Sequence, residues 1–372
     1  MIGVYVHVPF CLRKCPYCSF YSVPFHKEST DAYVRAILWN IDRYSGQHIK
    51  ADTLYFGGGT PSVLDVSQVE SIVDKCRQVF GLDNAEITLE ANPCTVDEEK
   101  LRGYRDAGIN RLSFGIQSAD DEKLRFLGRL HDRDTAVRAV ELAAKVGFEN
   151  ISGDLMIGAA GEDSNSIRRS VKALCGLPLK HISAYMLKIE EGTAFDCDEV
   201  RARAADDDTL SELYLAACEE LELHGFMQYE ISNFSKGGYQ SRHNNKYWEC
   251  EEYLGFGPSA HSFFGGKRFF CPADVKKFIE DDVQPCVVAE ETVDKGEEYI
   301  MLGLRLRKGI SLDRINELYS PLAAECLKKM ALSYERHGLT ETDGDNIRLT
   351  RKGFLVSNTI IGEFIGELNS LD

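Results

Sequence analysis

The sequence predicts an α/β fold: a partial, TIM-like (β/α)6 barrel followed by a C-terminal helical, winged-helix-like module. Three observations carry this expectation. Short β-rich runs alternate with longer stretches of helical period, about six times over. Each β-rich run stops at a polar or glycine-rich turn, as strands do where they converge on a barrel mouth. Past residue 290 the pattern changes to helices and one small hairpin.

The expected strands are 2–8, 52–57, 85–92, 111–118, 151–158 and 181–189, with a further β-like run at 226–234. Amphipathic stretches near 31–45, 66–80, 97–107, 132–147, 163–175 and 208–224 supply the helices between them. A doubly wound sheet would alternate in the same way, so the count alone does not choose. The strand ends favour the barrel: "GGGTP", Glu90, Gln117, Asp154 and Tyr185 recur there, and one shared ligand explains them better than chance.

The barrel is expected to span residues 1–235. A glycine-rich excursion over 236–290, of which 236–266 is expected to pack against the mouth, would follow, then the helical module over 291–372 with an Asp-Gly turn at Asp343–Gly344. From Lys295 onward, 11 Lys/Arg face 12 Asp/Glu, which argues against a DNA-reading wing. The net charge of −16 likewise excludes a general nucleic-acid binder. No leader-like start and no apolar run of spanning length is present, so a cytoplasmic protein that is not integral to a membrane is expected. Cysteines such as Cys76, Cys175 and Cys326 are scattered in apolar or helical contexts and read as small hydrophobes.

Cys11, Cys15 and Cys18 are different. C-x3-C-x2-C directly after a strand supplies three thiolates, suited to an iron–sulfur cluster or to zinc. His7 could complete a zinc tetrahedron, but no second short knuckle follows, and strand alternation turns His7 toward the barrel interior. Three thiolates leave one iron of a four-iron cluster open to an added ligand.

"CLRKCPYC" resembles the signature of the radical S-adenosylmethionine (SAM) superfamily, and "YFGGGTP" resembles its SAM-binding turn. The resemblance implies a 4Fe-4S cluster whose open iron binds SAM, and an electron donor for it. "YVHVPFC", "LEANP", "SFGIQS", "LGRLH", "DLMIG" and "YEISNF" extend the likeness along the chain, to the group of HemN-type coproporphyrinogen III dehydrogenases and HemW-type haem chaperones. By that resemblance Tyr5, Gly58, Gly59, Thr60, Glu90, Gln117, Arg129 and Asp154 would bind SAM. Phe20 stands where the dehydrogenase type carries a fourth cysteine, and "HNNKYW" at 243–248 matches the chaperone branch. His243 is then a candidate haem contact, with Tyr247 and Trp248 offering flat apolar surface. The implied partners are haem or a porphyrin and haem-accepting proteins such as membrane respiratory enzymes.

Overall fold

Six parallel strands stand side by side in the order of the chain. They are β1 (Ile2–Val8), β4 (Ala51–Gly58), β5 (Glu86–Ala91), β6 (Arg111–Gln117), β7 (Asn150–Ile157) and β8 (His181–Met186). The short β2 (Phe10–Cys11) and β3 (Val23–Pro24) pair with each other outside this sheet. A computed structural model describes residues 1–281, 283–290 and 292–371.

Sequential parallel order decides between the two folds left open above. A doubly wound sheet reverses strand order at a switch point, whereas here each crossover adds the next strand on the same side. Strand alternation divides the surfaces. Val4, Val6, Val8, Leu54, Phe56, Leu89, Leu112, Phe114, Ile151 and Ile182 belong to one continuous buried core. The alternate positions are mostly polar: Thr53, Glu86, Thr88, Arg111, Ser113, Ser152, His181 and Ser183 are all buried. The helix Val66–Phe80 shows how a crossover is built. Asp65 and Gln68 form a capping box, and Val69, Ile72, Val73, Cys76 and Phe80 are its buried stripe.

The expected run 226–234 divides into β9 (Met227–Gln228) and β10 (Asn233–Ser235), which pair antiparallel with each other. The interruption has a local cause: the Ser232 N–H donates to Glu230 Oε1 at 3.0 Å, turning the chain between them. β10 also closes one edge of the sheet against β8.

The stretch 236–290 divides between the two ends of the barrel, and its Val275 N–H donates to Tyr21 OH of the cysteine loop at 3.0 Å. Its strands β11 (Tyr253–Phe256), β12 (His261–Phe264), β13 (Lys267–Phe270) and β14 (Val287–Glu290) extend the sheet beyond β1. Its helix Arg242–Trp248 sits beneath the N-terminal ends of β1 and β4, where Lys246 donates to the Met1 carbonyl at 3.2 Å and pairs with Asp52 at 2.9 Å.

The C-terminal segment has the element order of a winged helix. Helix Lys295–Gly303 leads to β15 (Ile310–Ser311), helices Leu312–Leu318 and Pro321–Glu335, then β16 (Thr340–Asp343) and β17 (Asn346–Leu349). The strand order β15-β17-β16 places the hairpin as the wing. Asp343 pairs with Asn346, so the turn is Gly344–Asp345, one residue later than expected. A helix not anticipated from sequence, Ser357–Asn369, buries Ile360, Ile361, Phe364 and Leu368 in a core separate from that of the barrel. Backbone bonds join the two: Ile231 N–H to Arg305 O at 3.0 Å and Arg307 N–H to Tyr229 O at 2.9 Å. No helix among the described residues is long and apolar enough to cross a membrane.

The turn after β4 is packed too tightly for any side chain. A Cβ on Gly58, at φ +106°, would lie 2.6 Å from the His7 ring, and one on Gly59 would lie 2.8 Å from the carbonyls of Val8 and Phe10. Because backbone oxygens cannot move aside, Gly59→Ala is expected to cost about 1–3 kcal/mol. Urea unfolding of the purified variant reads this as a lowered midpoint with an unchanged slope.

Candidate functional site

The loop bearing the three cysteines is clasped at both ends, with Phe10 pairing Val23 and Cys11 pairing Pro24. Within it the Cys18 N–H donates to the Cys15 carbonyl at 3.1 Å, and Arg13 reaches across to the Gly128 carbonyl at 2.7 Å. Two sulfurs are tied to the barrel. Thr60 Oγ1 donates to Cys11 Sγ at 3.4 Å, and Arg129 Nη1 donates to Cys15 Sγ at 3.3 Å. All three thiols are free and half-buried.

This set fits an iron–sulfur cluster better than a single ion. No three His, Cys, Asp or Glu side chains among the described residues converge as ligands of one metal ion. A cubane engages each thiolate through a different iron, so its sulfurs stand apart. Burial pushes the Cys18 thiol up, and the neighbouring Cys15 and Cys11 push the same way. Three thiolates here therefore call for a cationic centre among them. The Cys3His zinc arrangement lacks its histidine: His7 Nδ1 lies 3.1 Å from Tyr5 OH, and its Nε2 lies 3.1 Å from the Tyr21 carbonyl.

Beside the loop the strand ends converge. Glu90 accepts from Tyr55 OH at 2.8 Å and from the Gly58 N–H at 3.2 Å, joining β4, β5 and the glycine turn. Tyr5 stacks on Tyr55, with centroids 6.2 Å apart. Asp154 accepts from Ser113 Oγ at 3.2 Å. Arg129 also donates to the Gly115 carbonyl at 2.8 Å, and Gln117 takes a left-handed φ of +70° at the end of β6. Thus Gly58, Gly59, Thr60, Glu90, Gln117 and Arg129 gather at a rim beside the cysteine loop, with Asp154 and Tyr5 deeper on β7 and β1 and Tyr5 also stacked on the His243 ring at 6.3 Å. Gln117 Oε1 and Arg129 Nε are buried there without a hydrogen-bond partner, as expected of groups awaiting a polar ligand.

Burial raises the Glu90 carboxyl to about 7, and the nearby Asp154 adds to the shift, while the Tyr55 and Gly58 bonds oppose it. Asp154 is raised by burial too, against the pull of Ser183, Ser113, Arg111 and Arg129. The site therefore holds one acid, Glu90, whose charge can change near neutral pH.

His243 is not at this rim. It lies on the helix under the barrel floor, 1% exposed, with its Nδ1 2.7 Å from Thr53 Oγ1 and its Nε2 2.8 Å from Tyr247 OH. Burial, with Lys246 and Arg111 behind it, lowers its pKa to about 3, so the ring is neutral. Its ring packs against Tyr55 at 5.2 Å, and a Cβ on Gly3 would meet it at 3.1 Å. Trp248 lies under the Arg305 guanidinium, 5.9 Å from its ring centre. The "HNNKYW" segment thus plugs the opposite end of the barrel from the cysteines.

Sequence reading passed over Tyr55, Arg111, Ser113 and Ser183, although the alternation Glu86-Thr88-Glu90 and Arg111-Ser113-Gly115 carries the signal of a polar inner face. Tyr17 was missed as well; it hydrogen-bonds Arg129 beside Cys15. Replacing any one of Cys11, Cys15 or Cys18 with serine is expected to abolish the broad visible absorbance gained on anaerobic reconstitution with iron and sulfide. Iron content per chain, compared with a Cys94→Ser control, checks it.

Comparison with known proteins accords with this geometry. Residues 5–174 match the Radical SAM superfamily and residues 293–356 the HemN C-terminal domain. The heme chaperone HemW of Bacillus subtilis is 34% identical over 99% of this chain and 100% of that protein. The heme chaperone HemW of Escherichia coli is 32% identical over 98% of each. In fold, the chain is similar to the Escherichia coli coproporphyrinogen III oxidase HemN, a radical SAM enzyme, with a TM-score of 0.82 at 21% identity over 98% of this chain and 89% of that one. Similarity to those chaperones over nearly the full length, at 34% and 32% identity, shows that this chain belongs to the HemW family of the radical SAM superfamily.

Proposed function

We propose that this chain is a cytoplasmic haem chaperone that holds a 4Fe-4S cluster and SAM and passes haem to haem-requiring proteins, membrane respiratory enzymes among them. The observation that carries the reading is Phe20. It occupies the position of the dehydrogenase type's fourth cysteine and projects from the cysteine loop with 66% of its surface exposed. Near full-length similarity to proteins named heme chaperones supports it, and the free thiols suit a reducing compartment.

In this reading Cys11, Cys15 and Cys18 hold the cluster, Arg129 and Thr60 orient two of the sulfurs, and the glycine turn admits SAM without a Cβ in the way. Glu90 and Asp154 present negative charge to a cationic sulfonium and ammonium, and Gln117 Oε1 offers an acceptor. When bound, the cluster supplies an open coordination site and a single electron at a time. His243 could meet haem only by giving up both of its ring contacts.

The decisive experiment is anaerobic: reconstituted protein, reductant, SAM and coproporphyrinogen III, with porphyrins and methionine followed by chromatography. No decarboxylation from a brown protein that binds haem is expected; protoporphyrinogen formed over many turnovers would make it a dehydrogenase. His243→Ala is expected to lower thermal stability while leaving the haem titration within about twofold, because the loss falls on the barrel floor. SAM affinity should strengthen as pH rises through about 7, since the deprotonated Glu90 attracts the cation and its protonated form does not. Calorimetric titrations from pH 6 to 8.5 check the sign, and Glu90→Gln should weaken binding and flatten that dependence.

A further inference from the structure

Inside the barrel lies a buried cation with two unpartnered nitrogens. Arg111 opens β6, is 1% exposed, and leaves Nε and Nη1 without a hydrogen-bond acceptor. Glu86 and Asp154 act on its charge through space. Buried charges are ordinarily paired, so compensation must come from charges farther off. The register shows which. Arg111 stands beside Thr88, between the inward positions of Glu86 and Glu90 on β5, and Ser113, the next inward residue on its own strand, donates to Asp154. Three inward carboxylates thus surround one guanidinium, and two of them are the acids of the rim.

We propose that Arg111 is a positioning residue for the rim: its charge favours the ionised forms of Glu90 and Asp154, and so their hold on the cationic groups of SAM. This rests on the reading of Glu90 and Asp154 as SAM contacts. The other groups facing this cluster do not substitute for Arg111. His181 and His243 are held neutral by burial, and Arg111 lowers both further. Tyr55, Tyr185 and Tyr229 are phenols that burial keeps protonated. Glu230, raised to about 7 by burial, adds only like charge. Lys246 is committed to Asp52 and Glu251 on the floor. Arg129 reaches Asp154, but its guanidinium is already bound to Cys15 and the Gly115 carbonyl.

The test is the pH profile of SAM binding to anaerobically reconstituted protein, measured by calorimetry from pH 6 to 9 for wild type, Arg111→Met, Arg111→Lys and Glu86→Gln. Removing the cation should move the profile of Arg111→Met upward by about one pH unit, a roughly five- to tenfold loss of affinity at pH 7 that is regained near pH 9. Arg111→Lys should keep the wild-type profile. Glu86→Gln, which removes a competing carboxylate, should move the profile downward, and it keeps the test open should Arg111→Met fail to fold. An equal loss at every pH in Arg111→Met, or an unmoved profile in Glu86→Gln, overturns the proposal while wild-type binding stands. A wild type that binds no SAM at any pH overturns the reading of the rim, and this proposal with it.

Discussion

The two bonds accepted by Glu90 are the point on which the site depends. One comes from Tyr55 on the neighbouring strand and the other from the N–H of Gly58 in the turn that follows it. Together they hold the glycine turn against the strand ends, and Thr60 at the end of that turn reaches Cys11. Burying a carboxylate is unfavourable, and its raised pKa measures that cost. The barrel tolerates it because the inner face is polar throughout, with hydroxyls, imidazoles and one guanidinium sharing the charge.

The cysteine loop has little structure of its own. Beyond one short turn and its two clasped ends, it is held by Arg13 on Gly128, Arg129 on Cys15, Thr60 on Cys11, His7 on the Tyr21 carbonyl and the Phe195 N–H on the Pro16 carbonyl. Arg129 therefore joins β6, through Gly115, to the cysteine loop, and carries Tyr17 with it. A cluster seated in this loop and a ligand seated on the rim would share these contacts, so the binding of one should affect the order of the other.

At the far end, a second set of contacts closes the floor. His243 fills the space left by Gly3 and bonds Thr53, while Tyr247 and Tyr253 stack edge to face at 4.6 Å. The winged-helix segment is attached on this side of the molecule as well, through Arg305 over Trp248 and an ion pair between Lys308 and Glu249. The segment from 242 to 249 thus sits between barrel and C-terminal module, in contact with both.

The sequence by itself determined the βα alternation and the helix boundaries that caps specify, and it marked the cysteine trio and the polar strand ends as candidates. Those features are local: thiol spacing, capping residues and period-2 patterning act within a few residues of chain. Strand order was decided only in three dimensions, since parallel neighbours are joined by crossovers whose hand and destination no single stretch encodes. The place of His243 was decided there too. A glycine-rich stretch with an exposed-looking motif could have docked at either end of the barrel. Its helix docks at the floor because Gly3 leaves room for an imidazole there, and Thr53, Glu86 and Tyr247 satisfy the polar groups it buries.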